Sequence, residues 1–157
     1  MIELRPIQPS DAPLLLALFK ETIRRVNARD YNPEQIRAWA ADEIDLAAWT
    51  ERFRGRFAVV AIDGEQFAGF TELEDNGHID RFYVSADHQR EGIGRQLLAA
   101  IVAQAQRQGI ARLYLEASIT ALPFFASQGF RTIAQQMVTA RGVEFVNVRM
   151  ERIIHAA

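Results

Sequence analysis

The chain has 157 residues, 49% of them hydrophobic, and no cysteine, which fits one domain with a real core and excludes disulfides, a thiolate nucleophile and cysteine-based zinc sites. A net charge of −2 and a pI of about 5.9 give no support for a nucleic-acid partner. The longest apolar run, Ala12–Phe19, is too short to cross a bilayer, and the first ten residues (MIELRPIQPS) lack the apolar stretch of a secretion signal. The expectation is a cytoplasmic protein without membrane association.

Ile2, Leu4 and Pro6 suit a short first strand. Asp11–Val26 repeats Leu14, Leu15, Leu18, Phe19 and Ile23 at helical spacing, with Ser10 as the expected cap. Asn32-Pro33-Glu34-Gln35 reads as a capping box opening a short helix that carries Ile36 and Trp39. Asp45–Phe53 predicts one or two more helical turns. Phe57–Ile62 and Gln66–Leu73 form a hairpin around Asp63-Gly64. In Ile79–Val84 the apolar residues are spaced three and then two apart, so one extra residue near Asp80-Arg81, a β-bulge, puts them all on one face. Arg95–Gln108 is amphipathic and ends at Gly109. Leu113 and Leu115 mark a strand, Thr120–Gln128 a short helix, and Phe130–Val138 pairs with Val143–Met150 around Arg141-Gly142. The result is one α+β domain over residues 1–157, a mixed sheet with helices on its faces.

The loop Gln89-Arg90-Glu91-Gly92-Ile93-Gly94 lies between a strand and a helix. Glycine there lets a ligand approach the backbone, and the unpaired N–H groups at the helix start, with the helix dipole, favour an anion. The loop reads as a phosphate cradle, to which Arg90 and Arg95 add charge. The alternative is a plain strand-to-helix turn. Leu97 stands where a dinucleotide fingerprint has its third glycine, and no Gly-Lys-Ser/Thr is present for a nucleotide-binding P-loop.

Two segments, IDRFYVSADHQREGIGRQLL and LEASITALPFFASQGF, resemble the GNAT acetyltransferase superfamily. The first resembles its acyl-CoA motif at Gln89, Gly92 and Gly94. The second resembles its Asn-x-x-Ala-x-x-Phe-Tyr-x-x-x-Gly-Phe segment at Ala121, Phe124, Gly129 and Phe130. The resemblance is sharpest over Ile79–Phe130 and weaker before about Phe70, where relatives vary around the acceptor pocket. It implies a mostly antiparallel sheet with a central splayed parallel pair, Ile79–Val84 beside Arg112–Ala117. Acetyl-CoA is implied as co-substrate, its pantetheine along Phe82, Tyr83 and Val84 and its diphosphate on Gln89, Arg90, Gly92, Ile93, Gly94 and Arg95. An amine, small-molecule or peptide, attacks the thioester directly in a ternary complex. A homodimer is consistent with the resemblance, and no metal is implied.

Three positions depart from the pattern. Ser118 replaces the motif asparagine and reaches less far. Phe125 replaces the tyrosine that protonates the leaving thiolate in relatives, leaving Tyr83, Tyr114, Ser118 or water as candidates. Glu91 sits in the phosphate loop and is expected to point to solvent. For the general base, spacing in the resembling family points to His78, with Glu72 a second candidate and Asp80 at the bulge a third. Each also reads as an ordinary surface group. His88 and His155 read as peripheral, and three scattered histidines give no metal-site spacing. Tyr31, Trp39 and Trp49 are candidates for the acceptor pocket or for the core. The competing functions are a non-catalytic acyl-CoA-binding regulatory module, suggested by Phe125, and an unrelated phosphate-ligand domain.

Overall fold

A computed structural model describes residues 1–155. Its elements, in chain order, are β1 (Ile2–Pro6), α1 (Ala12–Arg25), α2 (Pro33–Trp39), α3 (Leu46–Glu51), β2 (Phe57–Asp63) and β3 (Gln66–Leu73). They continue with β4 (Ile79–Val84), α4 (Ile93–Arg107), β5 (Arg112–Ser118), α5 (Leu122–Ser127), β6 (Arg131–Ala140) and β7 (Val143–Ile153). The Asn32 box forms as expected: Asn32 Oδ1 accepts from Gln35 N and Gln35 Oε1 from Asn32 N, both at 2.8 Å. Ser10 does not cap α1. It lies in a 3-10 turn, and Asp11 instead holds Arg5 and accepts from Gln8 N. Helix α4 begins at Ile93, two residues before the amphipathic stripe suggested, because Gly92 is its cap.

The strands form two antiparallel sheets, β1-β2-β3-β4 and β5-β7-β6, rather than one continuous sheet. Strands β2 and β3 are buried on both faces. Val60 and Phe70 join Leu15, Phe19 and Ile23 of α1, while Val59, Ala61 and Ala68 meet Ile93 and Leu97 of α4. The other side of α4 closes the second sheet through Leu98 and Ile101 against Leu113, Leu115 and Met150. Each fully buried Leu or Ile on α4 contributes on the order of 2 kcal/mol.

The two sheets meet at a single point. Tyr114 N donates to Gly77 O at 3.1 Å, and His78 with Tyr114 forms one parallel bridge. Past this apex no hydrogen bond joins β4 to β5 among the described residues, so β4 keeps a free edge. The expected bulge is present: Thr71 pairs with Phe82 and Leu73 with Ile79, leaving Glu72 opposite both Asp80 and Arg81.

Candidate active site

A cleft of about 490 Å³ opens beside the free edge of β4 and runs to the start of α4. Phe82, Tyr83 and Val84 line it from the strand, and Gln89, Arg90, Gly92, Ile93, Gly94 and Arg95 from the loop and helix start. Ser118 and Phe125 line it from the β5 side. The nine residues assigned above to acetyl-CoA, and the two motif positions Ser118 and Phe125 that the resemblance also sets against it, therefore line one space. Thr22 of α1, Val26 and Asn27 just after it, and His88, Thr120, Ala121 and Phe124 complete the wall.

Local chemistry explains the loop. Arg90 and Gly92 take left-handed backbone (φ 62° and 81°), the conformation that anion nests use. No side chain caps α4, so the first N–H groups of the helix keep their donors free beside the positive end of the dipole. A side chain on Gly94 would sit 3.0 Å from the Phe124 ring, so hydrogen at this position keeps the cleft open. Arg90 and Arg95 are exposed and pair with no carboxylate among the described residues. Glu91 is exposed and does not line the cleft. Gln89 works on the protein itself, its Nε2 donating to Val84 O (2.9 Å) and Ser85 O (3.2 Å), which ties the loop back to β4.

None of the three candidate bases lines the cleft itself, and only Asp80 lines the narrower space beside it. His78 lies at the apex, its Nδ1 2.8 Å from Glu74 Oε1 and its Nε2 2.9 Å from Glu116 Oε1. Its bond to Glu116, reinforced by Glu74 against the cost of burial, raises its pKa to about 9. At neutral pH the ring is an imidazolium without a lone pair to take a proton. Glu72 is fully buried and lines neither the cleft nor the β4–β5 gap. It holds the Arg81 guanidinium and Arg56 Nη1 (2.9 Å). Arg81 is stacked 4.2 Å from both Trp49 and Phe53. Burial alone would raise the Asp80 carboxyl, yet hydrogen bonds and charge from Arg56 and Arg52 hold it below the usual carboxylate range. Glu74, His78 and Asp80 bring ligand atoms within 4.8 Å of one another, a grouping invisible to spacing. Arg56 already pairs with both carboxylates, Asp80 at 2.6 Å and Glu74 at 3.6 Å.

A narrower cavity of about 70 Å³ fills the gap between β4 and β5. It shares Phe82, Tyr83, Ser118, Ala121 and Phe125 with the larger cleft and adds Trp39, Asp80 and Glu116. Burial pushes the Tyr83 phenol up, so it stays protonated at neutral pH. Of the aromatic candidates, Trp39 reaches this gap. Trp49 is core, its Nε1 donating to Ala12 O, and Tyr31 spends its hydroxyl on Val146 O (2.8 Å) and Ile119 N (3.0 Å).

The model of the acetyltransferase (GNAT) domain matches residues 27–152. The chain belongs to the GNAT acetyltransferase family. It is 35% identical over 149 residues to the uncharacterized N-acetyltransferase YafP of Escherichia coli K12, covering 95% of this chain and 94% of that protein. A crystal structure described as a GCN5-related N-acetyltransferase, aminotransferase class-II, from Rhodopseudomonas palustris is 32% identical with a TM-score of 0.93, covering 97% and 95% of the two chains. The putative acetyltransferase yncA of Salmonella typhimurium, solved with acetyl-CoA, shares the fold at a TM-score of 0.73 and 19% identity, covering 100% and 97%. The GNAT fold thus holds from first strand to last, including the N-terminal region that the motifs left open.

Sequence reading missed Asn27, Thr22 and His88. His88 is buried, with Nε2 3.3 Å from Asp63 Oδ2, although it reads as peripheral. Its position directly before Gln89 was the available signal. Thr22 and Asn27 carried none, since only the fold brings α1 across to β4.

Proposed function

We propose that this GNAT protein is an acetyl-CoA-dependent N-acetyltransferase whose acceptor amine attacks the thioester directly in a ternary complex. The observation that carries this reading is the convergence of the uncapped α4 start, the free edge of β4 and an apolar channel on one cleft. A pantetheine arm suits that channel: Ser85 N bonds to Ala68 O, so by strand alternation the backbone of Phe82 and Val84 faces the cleft. The diphosphate fits the N–H groups of Gly92, Ile93 and Gly94, with Arg90 and Arg95 adding charge. Acetyl-CoA supplies the activated acyl group, and the protein needs no nucleophile of its own.

The acceptor reaches the thioester through the narrow gap, where Trp39 gives an aromatic wall and Asp80 and Glu116 present carboxylates. A slim primary amine suits that gap, on a small molecule or a peptide. His78, held charged, fixes the apex, and Glu72 fixes the bulge through Arg81 and Arg56. The attacking nitrogen's proton passes to water at the mouth of the gap, and a coenzyme A thiolate leaves without a tyrosine at Phe125 because a thiol of ordinary pKa, about 8.5, is a tolerable leaving group. The test is acetyl-CoA calorimetry followed by thiol release over an amine panel. Binding with turnover supports the reading. Tight binding with no turnover on any amine favours the regulatory module, and absence of binding overturns both.

A further inference from the structure

Ser118 occupies the motif position of an asparagine, yet a carboxamide is present at the same place. Asn27, in the 3-10 turn after α1, is only 5% exposed, lines the cleft, and brings Nδ2 to 3.4 Å from Ser118 Oγ. Its position is built. Ile119 N donates to Tyr31 Oη at 3.0 Å, Tyr31 Oη donates to Val146 O at 2.8 Å, and Thr120 Oγ1 donates to Asp30 Oδ2 at 2.8 Å. These bonds stitch residues 27–31 to the loop that follows β5. Ser118 Oγ also accepts from Ala121 N at 3.0 Å, so the serine is spent on shaping that loop.

Beyond the Phe82 carbonyl on the free edge of β4, the cleft offers few acceptors for an amide N–H. Its middle is walled by Val26, Phe82, Phe124 and Phe125, and a buried amide without a partner is costly. The Val84 carbonyl, which faces this space, already accepts from Thr22 Oγ1 (3.3 Å) and Gln89 Nε2 (2.9 Å). Both of its lone pairs are therefore used. Among the described residues no hydrogen bond engages Asn27 Oδ1.

We propose that Asn27 supplies, from the α1 side, the carboxamide that Ser118 lacks, and that its Oδ1 accepts an amide N–H of the acyl-CoA arm. This rests on the acyl-CoA reading above. The two elements have exchanged the group: the asparagine sits on the turn after α1, and β5 keeps the small hydroxyl that leaves room for it.

The test is calorimetric titration with acetyl-CoA of the full chain, Asn27→Ala, and the swap Asn27→Ala/Ser118→Asn, with thermal melts of each unliganded protein. Asn27→Ala weakens binding about tenfold, the loss of one hydrogen bond, and the swap returns it to within about threefold of the parent. If Asn27→Ala does not fold, Asn27→Ser takes its place, with the same loss expected because a hydroxyl does not reach the arm. Parent-like affinity in the folded single variant, or a swap no tighter than the single variant, overturns the assignment. Failure of the parent itself to bind acetyl-CoA overturns the acyl-CoA reading instead, and this inference with it.

Discussion

Replacing His78 by glutamine tests whether the apex is held by an ion cluster. Its ring is 16% exposed and bridges Glu74 and Glu116 across the junction of the two sheets. Moving the pKa from 6.5 to about 9 corresponds to roughly 3 kcal/mol at about 1.36 kcal/mol per decade. The glutamates are 32% and 39% exposed, and water screening reduces this to about 2 kcal/mol. Because the folded pKa is raised, the stabilisation is complete below the unfolded value of 6.5. It declines as pH rises and is gone once pH passes about 9. Urea unfolding of both proteins should therefore show a gap of about 2 kcal/mol near pH 6 that closes to a few tenths by about pH 10. Other titrations are common to the two proteins and cancel. Parallel stability curves across this range would refute the charged clamp. The same variant keeps most of its turnover at pH 7.5, since glutamine can still bridge both carboxylates. Loss of two or more decades would return His78 to the role of base.

Gly77→Ala should destabilise the protein by about 3 kcal/mol, because the added Cβ would lie 2.1 Å from Arg112 O at a glycine with φ of 95°. Thermal melting reads this as a fall of about 10 °C, and an unchanged melting temperature contradicts the tight apex. Gly94→Val should weaken acetyl-CoA binding at least tenfold while the unliganded protein melts within a few degrees of the parent. Its side chain would meet Phe124 and narrow the cleft mouth. A folded valine variant of parental affinity would remove the helix start from the binding site.

The parts legible in the sequence are those fixed by local rules. The bulge followed from apolar spacing along a single strand, and the Asn32 box from residues three apart. The left-handed turn at Gly92 that opens α4 followed from a glycine placed between a strand and an amphipathic stripe. What stayed hidden depends on meetings between distant segments. Glu72 carries no local mark of its partners, because Arg56 and Arg81 are brought to it by the β2–β3 hairpin and the bulge. His78 reads as a candidate base only through the family resemblance, and the approach of Glu116, 38 residues away, with Glu74 beside it, holds it charged. Asn27 and Ser118 are separated by 91 positions, beyond the reach of any motif. The splay between β4 and β5 came only with the family resemblance, and its extent, a full division into two sheets, was not legible because neither strand encodes the gap alone.

A crystal structure of the protein with acetyl-CoA tests the central claim most directly. Diphosphate oxygens are expected about 3 Å from the N–H groups of Gly92, Ile93 and Gly94, with the thioester between Phe82 and Ser118. Density for the cofactor away from the α4 start, or side chains filling that start while the ligand binds elsewhere, would contradict it.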